Sequence, residues 1–326
     1  MLHIKKQLKL TDFPINIDTL CFKFKCELET KCFEHWEIRK FNYFQTIRTV
    51  GGSTVCFRYY PWYRCLSIWI DSVPALVYGS SQILFDKNDY VYFKEQVVST
   101  LNNATGLIDG DGFDPDVLDF AILSRIDLNQ DYYFCDKENE IEFRNWLNKC
   151  KMPYAKEIEY DSGGKKTRNA MNLTFYSKDE QCSAKNNEFL DVQGPYCTRL
   201  EFQIKNSYLN KRPPICLYDL INDKKLKERY YDFLLSKILL NGEIMNRQRL
   251  ETLIKSVARE KHKETYIKSL RSFYLELGKQ GYKPMREKCK SYYYYLQVAK
   301  NNKKVPIRLN DKVFKELNTL KENHIL

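Results

Sequence analysis

The sequence of 326 residues lacks the side chains that several enzyme classes need. Its four histidines are His3, His35, His262 and His324, and no two of them stand at short spacing. This excludes nicking enzymes that hold a metal between paired histidines, and the absence of a suitable His-x-x-Arg sequence excludes tyrosine recombinases. The eleven cysteines include no C-x-x-C pair, so a zinc site is poorly supported.

Long apolar segments are also missing. No apolar run approaches the roughly 20 residues needed to cross a bilayer, and no apolar block follows the charged residues 1–19 as it would in a signal peptide. Several cysteines stand inside apolar stretches, such as Cys56 in STVCFRYY, where they serve as small hydrophobic residues. These features predict a protein of a reducing cytoplasm, with no membrane partner.

Positive charge is concentrated in the C-terminal part of the chain, whose net charge is +11 overall. Residues 211–326 carry 27 Lys and Arg against 13 Asp and Glu, whereas the first 210 residues carry 26 against 29. A basic region attached to a nearly neutral one indicates binding to a polyanion such as nucleic acid. A lysine-rich helical surface without such a partner would have the same composition.

The order of local patterns predicts an α+β protein. Short aromatic and β-branched segments up to about residue 210 are typical of antiparallel strands, while residues 87–106 and 137–151 have helical patterns. After residue 213 the pattern is helical, with breaks near 241–243 and 278–284. The second break has the outline of a helix-turn-helix unit. We therefore expect a mainly antiparallel sheet domain over residues 1–210 and a basic helical region over residues 211–326.

Three predicted strands combine an apolar face with a face rich in ionisable groups. In the first, Ile122 and Ser124 are predicted to face the core together with Ile126. The predicted polar faces are Arg125, Asp127 and Asn129 in residues 122–129; Asn172, Thr174, Tyr176 and Lys178 in residues 171–178; and Arg199, Glu201, Gln203 and Lys205 in residues 198–205. Half-solvated antiparallel strands without a special role can have the same alternation.

If these strands are neighbours, Asp127 and Glu201 point into one cleft beside Tyr176. Two carboxylates with water suit Mg²⁺ or Mn²⁺, which withdraws charge from a phosphate oxygen. A phenol can attack phosphorus and form a covalent phosphotyrosine. Because free tyrosine has a pKa near ~10, a metal or a cation such as Lys178 is expected to help Tyr176 ionise. Structural Arg–carboxylate pairs between strands are the alternative interpretation.

The motifs resemble those of a known group of proteins. The segments that carry the resemblance are LSRIDLN, LTFYSKDE and CTRLEFQIKNSYLN, with IDSVPALVYGSSQILF before them and ICLYDLI and SLRSFYLELGKQGYKPMREKCKSYYYYL after them. In this order they resemble the gene II protein family, the replication initiators of filamentous phages. The order R-[IL]-D, Tyr-x-Lys and R-[LF]-E is also similar to the initiators of one group of rolling-circle plasmids of Gram-positive bacteria. The resemblance covers islands between about residues 65 and 296.

The resemblance implies an endonuclease that nicks one strand at a double-stranded origin. It would become joined to the 5′ phosphate through a tyrosine, leave a 3′-OH that primes rolling-circle synthesis, and later rejoin the displaced strand. The matched nucleophile is Tyr176, and Lys178 matches the lysine two residues later. Asp127 and Glu201 match the acidic Mg²⁺ or Mn²⁺ positions. The two matched arginines are Arg125 and Arg199.

The implied partners are double-stranded origin DNA, the displaced single strand, and the helicase and polymerase of a bacterial host, in whose cytoplasm the protein would act, with a homodimer as an open possibility. The DNA contacts are expected from the basic turn at residues 161–169, the end of the third strand and a C-terminal helix. The candidate DNA-binding residues are Lys165, Lys166, Arg168, Lys205, Arg286, Lys288 and Lys290.

Two other functions stay open at this point. One is a sequence-specific DNA-binding protein with the same fold and no catalysis, such as a copy-number or partition factor. The other is a mobilisation nickase that applies the same chemistry at a transfer origin. The joint presence of Tyr176, Asp127 and Glu201 favours an enzyme over the binding protein, but it does not separate replication from mobilisation.

Overall fold

A computed structural model gives the fold of most of the chain. The residues that it describes are 8, 12–39, 43–107, 112–150, 155–168, 170–184, 193–209, 214–223, 225–230, 245–260, 264–280, 285–286 and 308–323.

Ten strands form one antiparallel sheet. They are β1 (Asn16–Lys25), β2 (Glu37–Arg39), β3 (Tyr43–Val50), β4 (Ser53–Tyr60), β5 (Cys65–Ile70), β6 (Ile122–Phe134), β7 (Lys156–Tyr160), β8 (Gly163–Arg168), β9 (Met171–Ser177) and β10 (Tyr196–Lys205). Their order across the sheet is β2-β3-β4-β5-β1-β6-β10-β9-β8-β7.

Nine α-helices have both ends within the described residues, and residues 225–230 and 285–286 are also helical. The nine helices are α1 (Val73–Tyr78), α2 (Tyr90–Thr105), α3 (Lys137–Lys149), α4 (Lys178–Ala184), α5 (Asn206–Leu209), α6 (Leu217–Asn222), α7 (Arg247–Glu260), α8 (Glu264–Gln280) and α9 (Asp311–Asn323). The expectation of an α+β protein with a large antiparallel sheet is therefore confirmed.

One face of the sheet is buried under helices. Phe22, Phe57 and Phe202 alternate with polar neighbours along β1, β4 and β10, and none of the three is exposed to solvent. They pack in one hydrophobic core with side chains of α2 and α3, such as Phe93 and Phe143. The opposite face of the sheet carries the polar side chains, so the fold is a helical layer against a sheet with a second, accessible face.

Two helices predicted from the sequence are present in the structure. The predicted helix over residues 87–106 is α2, which ends at Gly106, a residue with a φ of 69° that glycine adopts without steric cost. The predicted helix over residues 137–151 is α3, and Asp136 caps it by accepting a hydrogen bond from the Glu138 amide. The predicted break at residues 241–243 lies outside the described residues. The predicted break at 278–284 is wrong for residues 278–280, which are the last turn of the helix α8, and its remainder lies outside the described residues.

A β-bulge changes the predicted faces at the start of β6. Arg125 pairs with Cys21 and Leu123 pairs with Phe22, so Ser124 is the extra residue between them. The prediction that Ile122 and Ser124 face the core is therefore wrong at this point. Leu123 is the buried residue instead, because the bulge shifts the alternation by one position.

The chain returns to the sheet after the C-terminal helices. β10 ends at Lys205 and the regular elements described after it are helices. The last helix, α9, lies against α3 and β6, where Glu316 accepts a hydrogen bond from Asn139 at 2.8 Å. Within the described residues no helix is long and apolar enough to span a membrane.

The two edges of the sheet are short and exposed. β2 is three residues long and β7 is five, and every residue of both strands is exposed to solvent. Their sequences, EIR and KEIEY, are mostly charged. Charged, short edge strands are a common feature of sheets that do not extend by pairing with another chain.

Gly163 holds the edge hairpin close to β9. It pairs with Tyr176, and a Cβ atom at this position would overlap the carbonyl oxygen of Phe175. We expect Gly163→Ala to lower the free energy of unfolding by about 1–3 kcal/mol, because backbone cannot yield as a side chain can. Gly278→Ala is the matched control, since a Cβ there meets open space within α8; a gain of about 0.5–1 kcal/mol is expected. Urea unfolding measures both, and equal midpoints would contradict the close approach.

Candidate active site

The three strands with mixed faces are neighbours in the sheet. β10 lies between β6 and β9, so the predicted adjacency is correct, and the third strand in the sequence is the middle one in space. Their polar faces form the floor of a cleft of about 820 Å³. The wall at one end comes from residues 79–82, which follow α1.

The register places the candidate residues side by side. Arg199 lies opposite Asp131 on β6 and Tyr176 on β9. Glu201 lies opposite Asn129 and Thr174, so Asp127 is its diagonal neighbour on β6. Diagonal partners on one face of a sheet are about 7–8 Å apart, within reach of long side chains.

The hydroxyl of Tyr176 donates a hydrogen bond of 2.5 Å to the Oε1 atom of Glu201. Among the described cleft-lining residues Tyr176 is the only tyrosine, in a chain that has 24 of them. Burial raises the pKa of Tyr176 well above its usual value, and the negative charge of Glu201 raises it further. The phenol is therefore protonated at neutral pH and hydrogen-bonded to a carboxylate that can accept its proton.

The positive charge of the Arg199 guanidinium lowers the pKa of Tyr176 and so opposes burial and Glu201. Arg199 is 1% exposed and forms two hydrogen bonds of 2.6 Å with Asp131. A third bond reaches the carbonyl oxygen of Ser81 at 3.1 Å. Its charge lowers the pKa of the phenol, so it is the cation that favours the phenolate. The carboxylate that binds Arg199 is Asp131 on the neighbouring strand β6, in agreement with the alternative interpretation of Arg–carboxylate pairs between strands.

Arg125 and Asp127 form a second Arg–carboxylate pair, within the strand β6. Arg125 donates two hydrogen bonds to Asp127, at 3.0 Å from Nε and 2.5 Å from Nη2. Gln203 donates to the same carboxylate at 3.3 Å and accepts from Asn172 at 2.6 Å. The Oδ1 atom of Asn172 is buried and has no hydrogen-bond partner, although Asn172 lines the cleft. An unpaired buried oxygen is costly in a folded protein and is a common feature of ligand sites.

Lys178 reaches the cleft from a helix and not from a strand. β9 ends at Ser177 and α4 begins at Lys178. The ammonium group bonds to Gln181 at 3.0 Å and to Ser81 at 3.5 Å. Burial and the nearby Arg199 lower the pKa of Lys178. The lysine is thus close to the site, while the ionisation aid expected from it comes from Arg199.

Asp18 is a site residue that the sequence patterns did not indicate. It occupies a register shift in β1, between Ile17 and Thr19, and this irregularity turns its side chain into the cleft. Its Oδ1 atom lies 3.9 Å from Nη1 of Arg199. Burial raises its pKa to about 7, against the opposing charge of Arg199. A bulge has no reliable sequence signal, so alternation along β1 could not have identified Asp18.

Asp18, Asp127 and Glu201 therefore share one partly buried cleft, with Asp71 at its end. Burial raises the pKa of Glu201, and the negative charge of Asp127 raises it further. The charge of Arg199 and the hydrogen bond from Tyr176 lower the same pKa. The negative charges of Glu201 and Asp127 also raise the pKa of Asp18. The donor set is all oxygen, which suits a hard divalent cation. Within the described part of the chain, however, no three or more Asp, Glu, His or Cys side chains are grouped as a metal cluster.

The basic segment near Tyr176 is a hairpin rather than a loop. The turn is limited to Asp161 and Ser162, and the lysines belong to β8. Lys165 pairs with Thr174 and lines the cleft, as a phosphate contact would. Arg168 pairs with Met171 at the exposed end of β8, on the side of the buried face.

Lys166 does not serve as the predicted DNA contact. It is 2% exposed, and its ammonium donates to the carbonyl oxygens of Asn148 at 2.9 Å and Cys150 at 2.7 Å. A cation bound to the last carbonyls of a helix stabilises the end of that helix, which is α3. The prediction fails because alternation places Lys166 on the core side of β8, opposite Leu173.

The remaining DNA-binding candidates are only partly visible. Lys205 is exposed at the end of β10 and pairs with Arg125, beside the cleft. Arg286 is exposed. Lys288 and Lys290 lie outside the described residues, as does the SYYYY segment.

Comparison with known proteins adds no assignment. No protein-family model matches the sequence, and no curated protein matches it significantly.

The buried carboxyl of Asp18 predicts a pH-dependent stability. An ordinary aspartate titrates near 3.8, while Asp18 stays protonated up to about pH 7. The folded state therefore binds more protons than the unfolded state between these values, and the free energy of unfolding falls as the pH rises through this window. Asp18→Asn removes this dependence. At pH 8 we expect the free energy of unfolding of the variant to be about 1–3 kcal/mol higher than that of the wild type. At pH 5 the difference should be smaller.

Urea unfolding of both proteins at the two pH values measures this difference. The comparison at pH 5 is the internal control for any loss of packing in the variant. An advantage of Asp18→Asn that is the same at both pH values would show that Asp18 is not held neutral by its surroundings.

Proposed function

We propose that the protein is a DNA nicking and joining enzyme that uses Tyr176 as its nucleophile. The single observation that carries the proposal is the hydrogen bond from the Tyr176 hydroxyl to Glu201 in a cleft lined by cations. A nucleophilic hydroxyl next to a proton acceptor, with the acceptor placed among other charged groups, is the arrangement that covalent catalysis requires. The resemblance to the replication initiators supports the same conclusion from the sequence side.

The reaction is a phosphoryl transfer between two oxygen atoms. The phenol oxygen of Tyr176 forms a bond to phosphorus while the bond from phosphorus to the 3′ oxygen breaks. Glu201 takes the phenolic proton, and the departing 3′ oxygen gains a proton to become a 3′-OH. The product is a 5′-phosphotyrosine, whose bond is as easily attacked by the 3′-OH as the original linkage was by the phenol. Joining is therefore the same step in reverse, and no further source of energy is needed.

The cations of the cleft have separate roles in this proposal. Arg199 stabilises the phenolate that forms as the proton leaves. Lys165 and Lys178 line the same cleft and are placed to attract the phosphate groups on either side of the reacting one. Arg125 orients Asp127 through two hydrogen bonds.

A divalent cation fits the donor atoms of the cleft. Mg²⁺ is usually bound by one or two carboxylates with several waters, so a preformed cluster of three protein ligands is not required. The carboxylates that would hold the ion are Asp127 and Glu201, with Asp18 beside them, and the unpartnered Oδ1 of Asn172 is a further oxygen donor. Such an ion would polarise the phosphate that is attacked. The substrates in this proposal are duplex origin DNA and the displaced strand, at a replication or transfer origin.

A nicking assay tests the nucleophile. Supercoiled plasmid with the protein's own source DNA is incubated with Mn²⁺ or Mg²⁺ and with wild type, Tyr176→Phe or Tyr92→Phe. Wild type is expected to give nicked circles with protein on the 5′ end. Tyr176→Phe should lose at least about 1,000-fold in rate, because the attacking oxygen is absent. Tyr92→Phe removes an exposed hydroxyl from α2, on the helical side of the sheet, and should behave as wild type.

The outcomes distinguish the alternatives. Equal nicking by wild type and Tyr176→Phe would place the nucleophile elsewhere. Binding of the DNA by both proteins without any nicking would favour the non-catalytic DNA-binding protein.

The cation site has a test that does not depend on activity. Because the three carboxylates repel one another, Mn²⁺ at pH 8 is expected to raise the melting temperature of the wild type, as any ligand of the folded state does. Asp127→Asn removes one donor and should reduce the increase, since fewer anionic oxygens remain. Differential scanning fluorimetry measures the shift, with Ca²⁺ and EDTA as comparisons. An identical shift in wild type and Asp127→Asn would contradict the assignment of Asp127.

A further inference from the structure

The accessible face of the sheet continues beyond the cleft onto β1, β5, β4 and β3. Arg125 of the cleft lies directly opposite Cys21, which lies opposite Trp69 on β5. Trp69 in turn pairs with Cys56 on β4. These side chains share the face that carries Asp127, because each is in register with the next across antiparallel strands. The cleft and this outer region therefore form one continuous surface.

Aromatic rings are spread over this outer region. Tyr43 and Tyr60 lie side by side with ring centroids 5.2 Å apart. Trp69 is half-buried between them and the cleft, and its indole Nε1 has no hydrogen-bond partner. At the end of β4, the exposed Trp62 and Tyr63 are 83% and 69% accessible. Exposed aromatic rings in such number beside a polar cleft are unusual for a solvated surface and provide flat faces for stacking.

Positive charge accompanies the rings. Lys23, Ser67 and Arg58 pair in turn across β1, β5 and β4, so the lysine and the arginine lie on one row of the sheet. Arg58 donates to Gln45 on β3 at 3.1 Å and is half-buried. Lys25 is exposed at the end of β1, next to Tyr63, whose carbonyl oxygen it binds.

Carboxylates are few on this part of the face. Glu37 lies at the outer edge and forms an ion pair with Arg39. Glu27, just after β1, lies near Trp62 and Tyr63 and forms an ion pair with Arg64. Asp18 belongs to the cleft. Asp71 follows β5 at the cleft end and accepts hydrogen bonds from Ser53 and Thr54. The outer region thus offers cations and aromatic faces, with little negative charge to repel a phosphate backbone.

We propose that this outer region, which comprises Lys23, Tyr43, Arg58, Tyr60 and Trp69, binds single-stranded DNA that leads into the cleft. Cations placed among aromatic rings are the usual means of binding unpaired strands, because each base has a flat face to stack and each nucleotide a phosphate to neutralise. In a duplex the base faces are already stacked, so the rings would gain no partner. From Arg125 to Tyr43 the surface spans four strand spacings, about 19 Å, enough for a few nucleotides. The inference rests on the proposed function, since it names the form of DNA that the same site takes.

Fluorescence anisotropy with a labelled mixed-sequence 20-nucleotide single strand tests the proposal. The measurements use full-length protein that carries Tyr176→Phe, in EDTA, so that no chemistry occurs. The test variant is Arg58→Ala/Tyr60→Leu. The matched control is Lys87→Ala/Tyr92→Leu, which removes one cation just before α2 and one tyrosine within it, on the helical side of the sheet, where both side chains are exposed.

The test variant is expected to bind the single strand about tenfold more weakly, as loss of one stacking contact and one phosphate contact predicts. The control should lose less than about twofold in affinity for the single strand, which is the usual effect of a distant surface change. A duplex of the same sequence should bind both variants about equally well. The proposal is overturned if the test variant and the control lose the same affinity, or if the variant loses duplex binding to the same extent as single-strand binding.

A second measurement covers the possibility that Tyr60→Leu unfolds the sheet. Wild-type protein is cross-linked by ultraviolet light to a single strand that carries 5-iododeoxyuridine, and the attached peptides are mapped by mass spectrometry. Cross-links are expected at Tyr43, Tyr60, Trp62 or Trp69. Cross-links confined to residues outside 16–70 would contradict the proposal.

The results also separate this inference from the proposed function. Single-strand binding on the outer region without any nicking of plasmid would leave the inference standing and overturn the enzyme. Nicking by wild type, together with normal single-strand binding by Arg58→Ala/Tyr60→Leu, would overturn the inference alone.

Discussion

The buried guanidinium of Arg199 is the interaction on which the cleft depends. A charge that is 1% exposed carries a large desolvation cost, which is tolerable only when anionic and carbonyl oxygens surround it. Asp131 supplies two such bonds from β6, and Ser81 supplies a third from the wall of the cleft. The guanidinium therefore fixes β10 to its neighbour and also holds the segment after α1 over the site. The same charge limits how far burial can raise the pKa values of Tyr176 and Asp18.

The sheet topology explains why residues far apart in the sequence meet. β10 is inserted between β6 and β9, which brings residues 127, 176 and 201 onto one face within two strand spacings. β1 lies on the other side of β6 and contributes Asp18. The polar residues can be concentrated on this face because the helices, including α2, α3 and α9, cover the other one. A sheet with a single covered face thus provides both the hydrophobic core and a broad accessible floor.

Much of the fold and the centre of the site followed from alternation along the strands. β9 and β10 have the predicted faces, since Leu173, Phe175 and Phe202 are fully buried. Pairing across strands could not be predicted in the same way, because alternation gives the face of a residue and not its neighbour. The Arg-x-acid spacing shows that Glu201 shares a face with Arg199, but it gives no signal for Asp131, the carboxylate that binds Arg199 across the ladder.

Irregular backbone and burial account for the other differences. The bulges in the pairing of β1 with β6 move Asp18 into the cleft and exchange the roles of Leu123 and Ser124. Lys166 looked like its neighbour Lys165, but its aliphatic chain lies on the core side and its ammonium finds the end of α3. Both differences depend on three-dimensional packing, which a charge or a period in the sequence does not encode.

The short, charged edges of the sheet limit how copies of this chain can associate. The edge strands β2 (EIR) and β7 (KEIEY) carry mostly charged side chains. A strand from another copy that paired with either edge would have to desolvate these charges, which costs free energy. Edge-to-edge pairing of the ten described strands with another copy is therefore disfavoured, so the floor of the cleft is not closed off by a strand added at either edge.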